Sequence, residues 1–571
     1  MSDASPRLPS WAVELRDRYL AGEASLFLVH GNVRDLVAWD AGNGKTEWVS
    51  LKLFFERFLG RTRDIVVYYN VSQGMLFPDS QNQRRFERAI NARRATTGAD
   101  LLGALPRLPT QVIPLVEEII TDPLHSSGVV LDYVETVAPS GDLSFMTAED
   151  KATLVSLQRW ASDPAFLSTD NLVILVTEHL SDVSRRVVSS AQLMPIVVPF
   201  PGIDERLAFL QGQNLSEVKL QMDLPALAKV TAGLSLLQIR SILRGAQQTG
   251  EEITFRTVSR RKKSIIEQEC HGLVEFVDPE HNFSHVGGME GVKETLMRVA
   301  EAVKTGNRNR VPMGMIFVGA MGTGKTYLAE AFAAECGLTC LKFKNFREKW
   351  VGSTEANLEK VLDLVDALGY VLLIIDEADR SLSAGESDGG TSSRVIARLK
   401  EFMSDTTHRG RVVMLMMTNR PDKLDTDLKR PGRFDLKIPF FFPEDPTERQ
   451  AILKAASRKN NIPFDGGISW DHAVTATAGY SSAELEAVVL AAVAKANEND
   501  GPSVNQDDLD SAVSDVIPSR DTRMLGFMEM LAVFESSSRK MLPERYRTLS
   551  TDEVQARLDL LREQLGRRAI L

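Results

Sequence analysis

The segment Gly319-Ala320-Met321-Gly322-Thr323-Gly324-Lys325-Thr326 limits the fold of this 571-residue chain more than any other stretch. It reads G-x-x-x-x-G-K-T, between an apolar run, Met313 to Val318, and a helix-like run, Tyr327 to Ala333. A glycine-rich loop between a strand and a helix can turn its backbone N–H groups around an anion, at the positive end of the helix. The pattern predicts the phosphate-binding loop of an α/β fold. Lys325 then reaches the β- and γ-phosphates of a nucleotide, and the Thr326 hydroxyl ligates Mg²⁺. Gly322, Thr323 and Gly324 supply backbone contacts to the same phosphates.

The rest of the chain reads as two copies of one plan. In the first half, apolar strands are expected at Leu26–His30, Asp64–Tyr69, Gly128–Asp132, Asn171–Thr177 and Ile196–Pro201, separated by helical stretches. Such continuous apolar runs suit a buried parallel sheet. In the second half, Tyr370–Asp376, Val412–Thr418 and Leu436–Pro443 follow in the same order. Asp132 to Thr177 spans 45 positions and Asp376 to Thr418 spans 42. Thr231-Ala232-Gly233-Leu234-Ser235 then matches Thr477-Ala478-Gly479-Tyr480-Ser481. The inference is an α/β core followed by a small helical lid, present twice. The first copy reads as chemically dead. Its phosphate loop, sought after Val66–Tyr69, is Asn70-Val71-Ser72-Gln73-Gly74-Met75-Leu76, with one glycine and no lysine. Asp132 reads as a strand-end cap.

The expected division is 1–202, a degenerate α/β domain; 203–250, its lid; 251–282, a linker; 283–443, the competent α/β domain; 444–515, its lid; and 516–571, a helical extension. In the linker, Arg260-Arg261-Lys262-Lys263 reads as the solvated face of a helix. In the extension, Val554, Leu558, Leu561 and Leu565 mark an apolar helix face, packed on its own lid or on a neighbouring subunit. Net charge is −10, which argues against general attraction to nucleic acid. No apolar stretch is long enough to span a bilayer, and the N-terminus lacks the pattern of a signal peptide. Three cysteines cannot build a disulfide framework, so the expectation is a reducing, cytoplasmic setting. Cys336 and Cys340 read as packing residues.

Further chemistry is placed around the phosphate loop. Asp376-Glu377 ends an apolar strand. The first carboxylate suits the Mg²⁺ shell and the second suits orienting or deprotonating a water. Asn419 ends the next strand, where a neutral amide can bond a γ-phosphate or a water. Arg430-Pro431-Gly432-Arg433 is a stiff turn expected after a short helix, Asp422 to Lys429. Its arginines suit charge stabilisation on a neighbouring molecule's nucleotide. Lys349-Trp350-Val351-Gly352 lies between a strand and a helix, with Trp350 either a core anchor or an exposed aromatic.

These residues resemble the AAA family of ATPases, within the wider AAA+ superfamily. The resemblance covers roughly residues 283–515. Phe283 to Lys293 resembles the first motif of the module, in which Val286 and Gly287 line the adenine. Gly319–Thr326 resembles Walker A, Val371–Glu377 Walker B, and Asn419 sensor 1. Arg430 and Arg433 stand at the two arginine-finger positions. Gly479 to Glu484 resembles the lid motif, which brings Ser482 and Ala483 near adenine. Lys349, Trp350 and Val351 match the pore loop that grips substrate. The resemblance implies ATP and Mg²⁺ as cofactors and a homo-oligomer, a hexameric ring, that remodels a protein client through its pore. Two departures stand out: Ala320-Met321 replaces the usual Pro-Pro, and Ser482 replaces a Gly. A nucleic-acid-stimulated motor and a nucleotide-controlled scaffold are the rival readings.

Overall fold

The computed structural model describes residues 8–42, 45–141, 143–144, 146–270, 273–279, 281–343, 354–381, 391–498, 503–519 and 521–566. Contacts divide the chain into two units: Met1–Ile266 with Glu355–Ala367, and Glu267–Thr354 with Leu368–Leu571. Among the described residues, no helix is long and apolar enough to cross a membrane. All three cysteines are buried.

In the first unit the strands are β1 (Leu26–Gly31), β2 (Leu36–Asp40), β3 (Thr46–Ser50), β4 (Ile65–Asn70), β5 (Gly74–Leu76), β6 (Ser127–Asp132), β7 (Leu172–Val176) and β8 (Leu193–Val198). Six of them form one sheet, in the order β5-β4-β6-β7-β1-β8. All its neighbours are parallel except the short hairpin of β4 and β5. β4, β6 and β7 are buried along their whole length, as strands covered on both faces must be. One face packs on Trp11, Phe54 and Phe55, the other on Ile113, Ile119 and Trp160. The first helix, Ser10–Leu20, buries Trp11 and Leu15, while Leu20 is exposed. Helices Ile203–Gln211, Leu224–Val230, Leu236–Thr249 and Phe255–Glu269 follow. The last of these corrects the solvated reading of the basic run. Arg260 is exposed, but Arg261 pairs with Glu251 and bonds to Ile242 O, and Lys262 donates to Val230 O. Burial pulls the Lys262 ammonium down to about 8.

The second unit has β9 (Val274–Val277), β10 (Gly314–Gly319), β11 (Thr339–Phe343), β12 (Val371–Ile375), β13 (Val412–Thr418) and β14 (Phe434–Phe440). Their order is β14-β10-β13-β12-β11-β9, parallel except for β9. Helices Pro446–Lys459, Asp471–Ala476, Ser482–Glu498 and Gln506–Asp515 build a lid around their own core. In the extension, Thr551–Leu565 packs through Val554, Leu558 and Leu565 against helix Thr522–Glu535. The apolar face is therefore covered within the same chain. The expected helix Asp422–Lys429 does not form. Only Pro421–Lys423 makes a 3₁₀ turn, Leu424 is extended, and the Asp425 side chain caps the Asp427 N–H instead. A local carboxylate here outcompetes the helical hydrogen bond.

Superposing the topologies pairs β1 with β10, β4 with β11, β6 with β12, β7 with β13 and β8 with β14. The hydrogen bonds agree. A buried Arg206 donates to Ala228 O and Pro201 O, as Arg449 does to Val474 O and Pro443 O. Tyr133 and Glu377, each following a strand-end aspartate, both hold a left-handed backbone, with φ 55° and 46°. Each donates its N–H to that aspartate, at 2.9 and 3.0 Å. The pairing also corrects the location of the first copy's phosphate loop. It follows β1, at Gly31-Asn32-Val33-Arg34-Asp35, and Asn70–Leu76 belongs to the β4–β5 hairpin. A Cβ on Gly31 would lie 2.6 Å from Val198 O, and one on Gly319 would lie 2.3 Å from Phe440 O. The same close approach keeps glycine at both positions. Two insertions lengthen the chain between loop and carboxylate: the hairpin β2–β3, and a longer connection from β4 to β6, 57 positions against 28 between β11 and β12, so spacing counted from Asp132 pointed to the wrong strand.

Candidate nucleotide site

β10 is buried throughout and delivers Gly319 to the base of the loop. Gly322 and Gly324 take φ of 77° and 86°, where a side chain would be strained. Helix Lys325–Cys336 starts directly after them. Where proline would stiffen the loop, hydrogen bonds act instead. The buried Thr323 hydroxyl donates to Ala320 O at 2.9 Å. Lys325 Nζ donates to Gly319 O at 2.9 Å, to Ala320 O at 2.8 Å and to Asn419 Oδ1 at 2.8 Å. All three of its donors are thus used within the protein. Burial lowers the Lys325 ammonium to about 8, with Asp376 and Asp379 opposing the shift.

A cavity of about 310 Å³ lies between loop and lid. Val286, Gly287, Gly322, Thr323, Gly324, Lys325, Thr326, Ser482 and Ala483 line it, together with Met289, Tyr327, Ile452, Lys459 and Glu486. Its apolar wall suits a base, and its glycine floor suits phosphates. A Cβ on Gly287 would meet Ala451 O at 2.4 Å, because the lid helix passes directly over it. The lid is tied to the loop by Ala483 N–H to Gly322 O at 3.0 Å. It is also tied by Met289 N–H to Glu448 Oε1 at 2.9 Å. Among the described residues the buried Ser482 hydroxyl has no hydrogen-bond partner, which leaves it for a bound molecule. These features fit a nucleoside triphosphate.

β12 presents Asp376 and Glu377 at the end of an all-apolar strand. Asp376 Oδ2 takes an ammonium 2.8 Å away from Lys342, on β11. The sequence reading missed this pair, although a lone lysine in an apolar strand was a signal for it. Thr326 and Asp376 fit a divalent cation by donor type, and a cation there would share Asp376 with Lys342. Beside them the Thr418 hydroxyl donates to Asp379 Oδ1 at 2.7 Å, which anchors the end of β13 next to Asn419.

Arg430 and Arg433 do not line the cavity. Arg430 is exposed and pairs with Asp427 at 3.1 Å. Arg433 Nη1 donates to Asp427 O at 2.9 Å. Lys349, Trp350 and Val351 lie outside the described residues.

The matching position in the first unit is filled by its own side chains. Arg34 donates to Asp132 Oδ1 at 2.7 Å and to Glu178 Oε1 at 3.2 Å, and lies 3.7 Å over the Tyr133 ring. The Tyr68 hydroxyl bonds to the other Asp132 oxygen. Asp35 accepts the N–H groups of Leu236 and Leu237 at 2.8 and 2.9 Å. A carboxylate thus sits on the lid helix N-terminus, and a guanidinium sits on the strand-end aspartate.

A glycine loop between strand and helix, a lysine at its end, a double acid on the strand two places along and a helical lid define a P-loop nucleotide-binding protein. Comparison with known families refines this. Residues 2–199 match the AAA+ chaperone N-terminal Rossmann-like domain, 204–271 the AAA+ chaperone second helical domain, and 315–442 the ATPase family associated with various cellular activities. The chain belongs to the AAA+ ATPases. It is 32% identical over 231 residues to Protein SAV of Sulfolobus acidocaldarius, covering 38% of this chain and 29% of that protein. It is 32% identical over 270 residues to the ATP-dependent zinc metalloprotease FtsH 1 of Sphaerobacter thermophilus, covering 44% and 40%. It is 30% identical over 308 residues to the ATPase family protein 2 homolog of Caenorhabditis elegans, covering 51% and 41%. The chain therefore spans less than half the length of each of these three relatives.

Proposed function

We propose that the chain is a Mg²⁺-dependent ATPase subunit of a homo-oligomeric ring, a hexamer, that remodels protein substrates. The observation that carries this reading is the three-acceptor seat of Lys325 at the floor of the cavity, with the arginines outside it. One chain then holds half a catalytic site. When bound, ATP and Mg²⁺ supply the reacting phosphoryl group and neutralise its charge. In this reading the protein does the rest. The loop N–H groups and Lys325 hold phosphate, and Thr326 and Asp376 hold the cation. Glu377 orients and deprotonates water, and Asn419 positions it. Arg430 and Arg433 from the next copy stabilise developing charge. Val286, Gly287, Ser482 and Ala483 hold the base.

The proposed division of labour follows the boundaries 1–202, 203–250, 251–282, 283–443, 444–515 and 516–571. The first pair of domains serves as a scaffold or recruitment platform, and Lys349, Trp350 and Val351 grip the client in a central pore. Relatives named as ATP-dependent proteases support action on proteins. The sequence contains no H-E-x-x-H, so it carries no such zinc-protease motif of its own. The test is particle mass with and without ATP for Glu377→Gln, followed by identification of the proteins that it traps. A monomer under both conditions would refute the ring.

A nucleotide-controlled scaffold is the second reading, favoured by the Lys342–Asp376 pair. An ammonium on the carboxylate meant for the cation suits slow turnover. Lys342→Ala separates the two readings. An unchanged slow rate together with ATP-dependent assembly supports the scaffold.

A further inference from the structure

The Arg430–Arg433 turn is fixed from a distance. Its own contacts are local: Arg430 and Arg433 to Asp427, Gly432 N–H to the Asp435 carboxylate, and Phe434 N–H to Leu428 O. Its ends are held by one side chain about a hundred positions downstream. Glu535, the last residue of helix Thr522–Glu535, receives Lys429 Nζ at 2.5 Å on one oxygen and Lys437 Nζ at 3.0 Å on the other. The carboxylate is 9% exposed and the Lys429 side chain 13%. Lys429 spends a further donor on Pro421 O at 3.0 Å. Ser537 extends the clamp: its N–H reaches Lys437 O at 3.1 Å, and its hydroxyl receives the Lys437 N–H at 2.8 Å. At the start of the segment, the Arg420 guanidinium lies 5.3 Å over Phe527 of the same helix. A second anchor, Lys400, pairs with Asp425 and Asp427.

The chemistry of this clamp is one-sided. A nearly buried carboxylate is stable here because it has two ammonium partners. Without it, Lys429 and Lys437 face each other with no shared counter-ion, and the turn between them keeps only local closures such as Phe434 N–H to Leu428 O and Arg433 to Asp427 O. A finger displaced by about 1 Å loses most of its effect on a transition state, on the order of 10²-fold. We infer that Glu535 is a positioning residue: it sets the Arg430–Arg433 turn for action on a neighbouring copy's nucleotide, so helix Thr522–Glu535 controls turnover. Both lysines lie inside the segment 315–442 that matches the ATPase family, but Glu535 lies outside it. The inference rests on the proposed action of the arginines across an interface.

The test uses full-length Glu535→Gln. Affinity for a fluorescent ATP analogue is expected within about twofold of wild type, with kcat down at least about tenfold and KM changed less than about threefold. Glu535→Gln chains are then mixed with Glu377→Gln chains, whose own sites are dead but whose fingers are intact. At equal ratio, about one quarter of sites combine a competent site with a competent finger, so activity rises toward that fraction of wild type. Arg433→Ala mixed with Glu377→Gln is the control. If the control mixture stays inactive, action across an interface is wrong, whatever Glu535 does. If the control recovers and the Glu535→Gln mixture does not, or if Glu535→Gln alone turns over like wild type, the positioning role is overturned. If Glu535→Gln does not bind nucleotide, Lys437→Met, which keeps the Lys429 pair, is read by the same criteria.

Discussion

Lys325 Nζ lies 2.8 Å from Asn419 Oδ1, so the phosphate-loop lysine is already aimed by the end of the neighbouring strand β13. The amide accepts without adding charge. Two backbone carbonyls complete the seat, and phosphate oxygens would have to draw Lys325 from neutral acceptors only.

Asn419→Ala removes one acceptor and the group proposed to position water. Nucleotide affinity is expected to change less than about threefold, while kcat falls on the order of 10²-fold. Equilibrium binding and phosphate release, measured on the same preparation, check this split. A large loss of binding with unchanged kcat would contradict it.

Glu377→Gln keeps the size of the side chain and removes its basicity. Hydrolysis is expected to drop by about 10²–10⁴-fold with binding retained. A near-normal rate of phosphate release would reject Glu377 as the base.

The lowered Lys325 value gives a signed pH dependence. Its ordinary value is 10.5, and in the folded protein without nucleotide it falls to about 8. Burying the charged form therefore costs stability in full below pH 8. That cost is relieved as pH rises from about 8 to 10.5. Phosphate favours the ammonium, so nucleotide binding above pH 8 takes up a proton. Affinity is expected to be flat below pH 8 and to fall by up to about tenfold per pH unit above it. Calorimetric titration in buffers of different ionisation enthalpy measures the uptake. Affinity unchanged between pH 7 and 9.5 would contradict this value.

The first unit should bind no nucleotide. Arg34 already occupies Asp132, and Asp35 already occupies the lid helix N-terminus. Titration is expected to give one nucleotide per chain, and Lys325→Ala is expected to abolish it. Residual binding with wild-type affinity in that variant would show a second live site.

Arg449 is 5% exposed and holds the lid through Val474 O, Pro443 O and Glu444 O. Arg449→Ala strands these carbonyls and is expected to cost about 2–4 kcal/mol. Urea denaturation followed by a lid-specific probe measures it. A loss below about 0.5 kcal/mol would mean that the clamp is incidental.

Much of the architecture was legible because it is local and periodic. Gly319–Thr326 carries its own strand, loop and helix, and apolar runs such as Val371–Ile375 can only be buried strands. The double acid and Asn419 follow from their places at strand ends. The repeat was legible from Asp132 onward, where spacing is kept. It was misread upstream, where the β2–β3 hairpin and the longer β4–β6 connection intervene and only strand order identifies Gly31 as the partner of Gly319. The expected helix before Arg430 failed for a nearby reason, a single carboxylate capping its own turn.

What the sequence determined by itself was the chemistry offered: a phosphate loop, two acids, an amide and two arginines at fixed intervals. What only the tertiary structure decided was the partners of those groups. Lys342 on Asp376, Arg34 on Asp132 and Glu535 between Lys429 and Lys437 join residues 34, 98, 98 and 106 positions apart. An ion pair depends on distance in space and on the exclusion of water, and neither quantity is written in the order of residues along a chain.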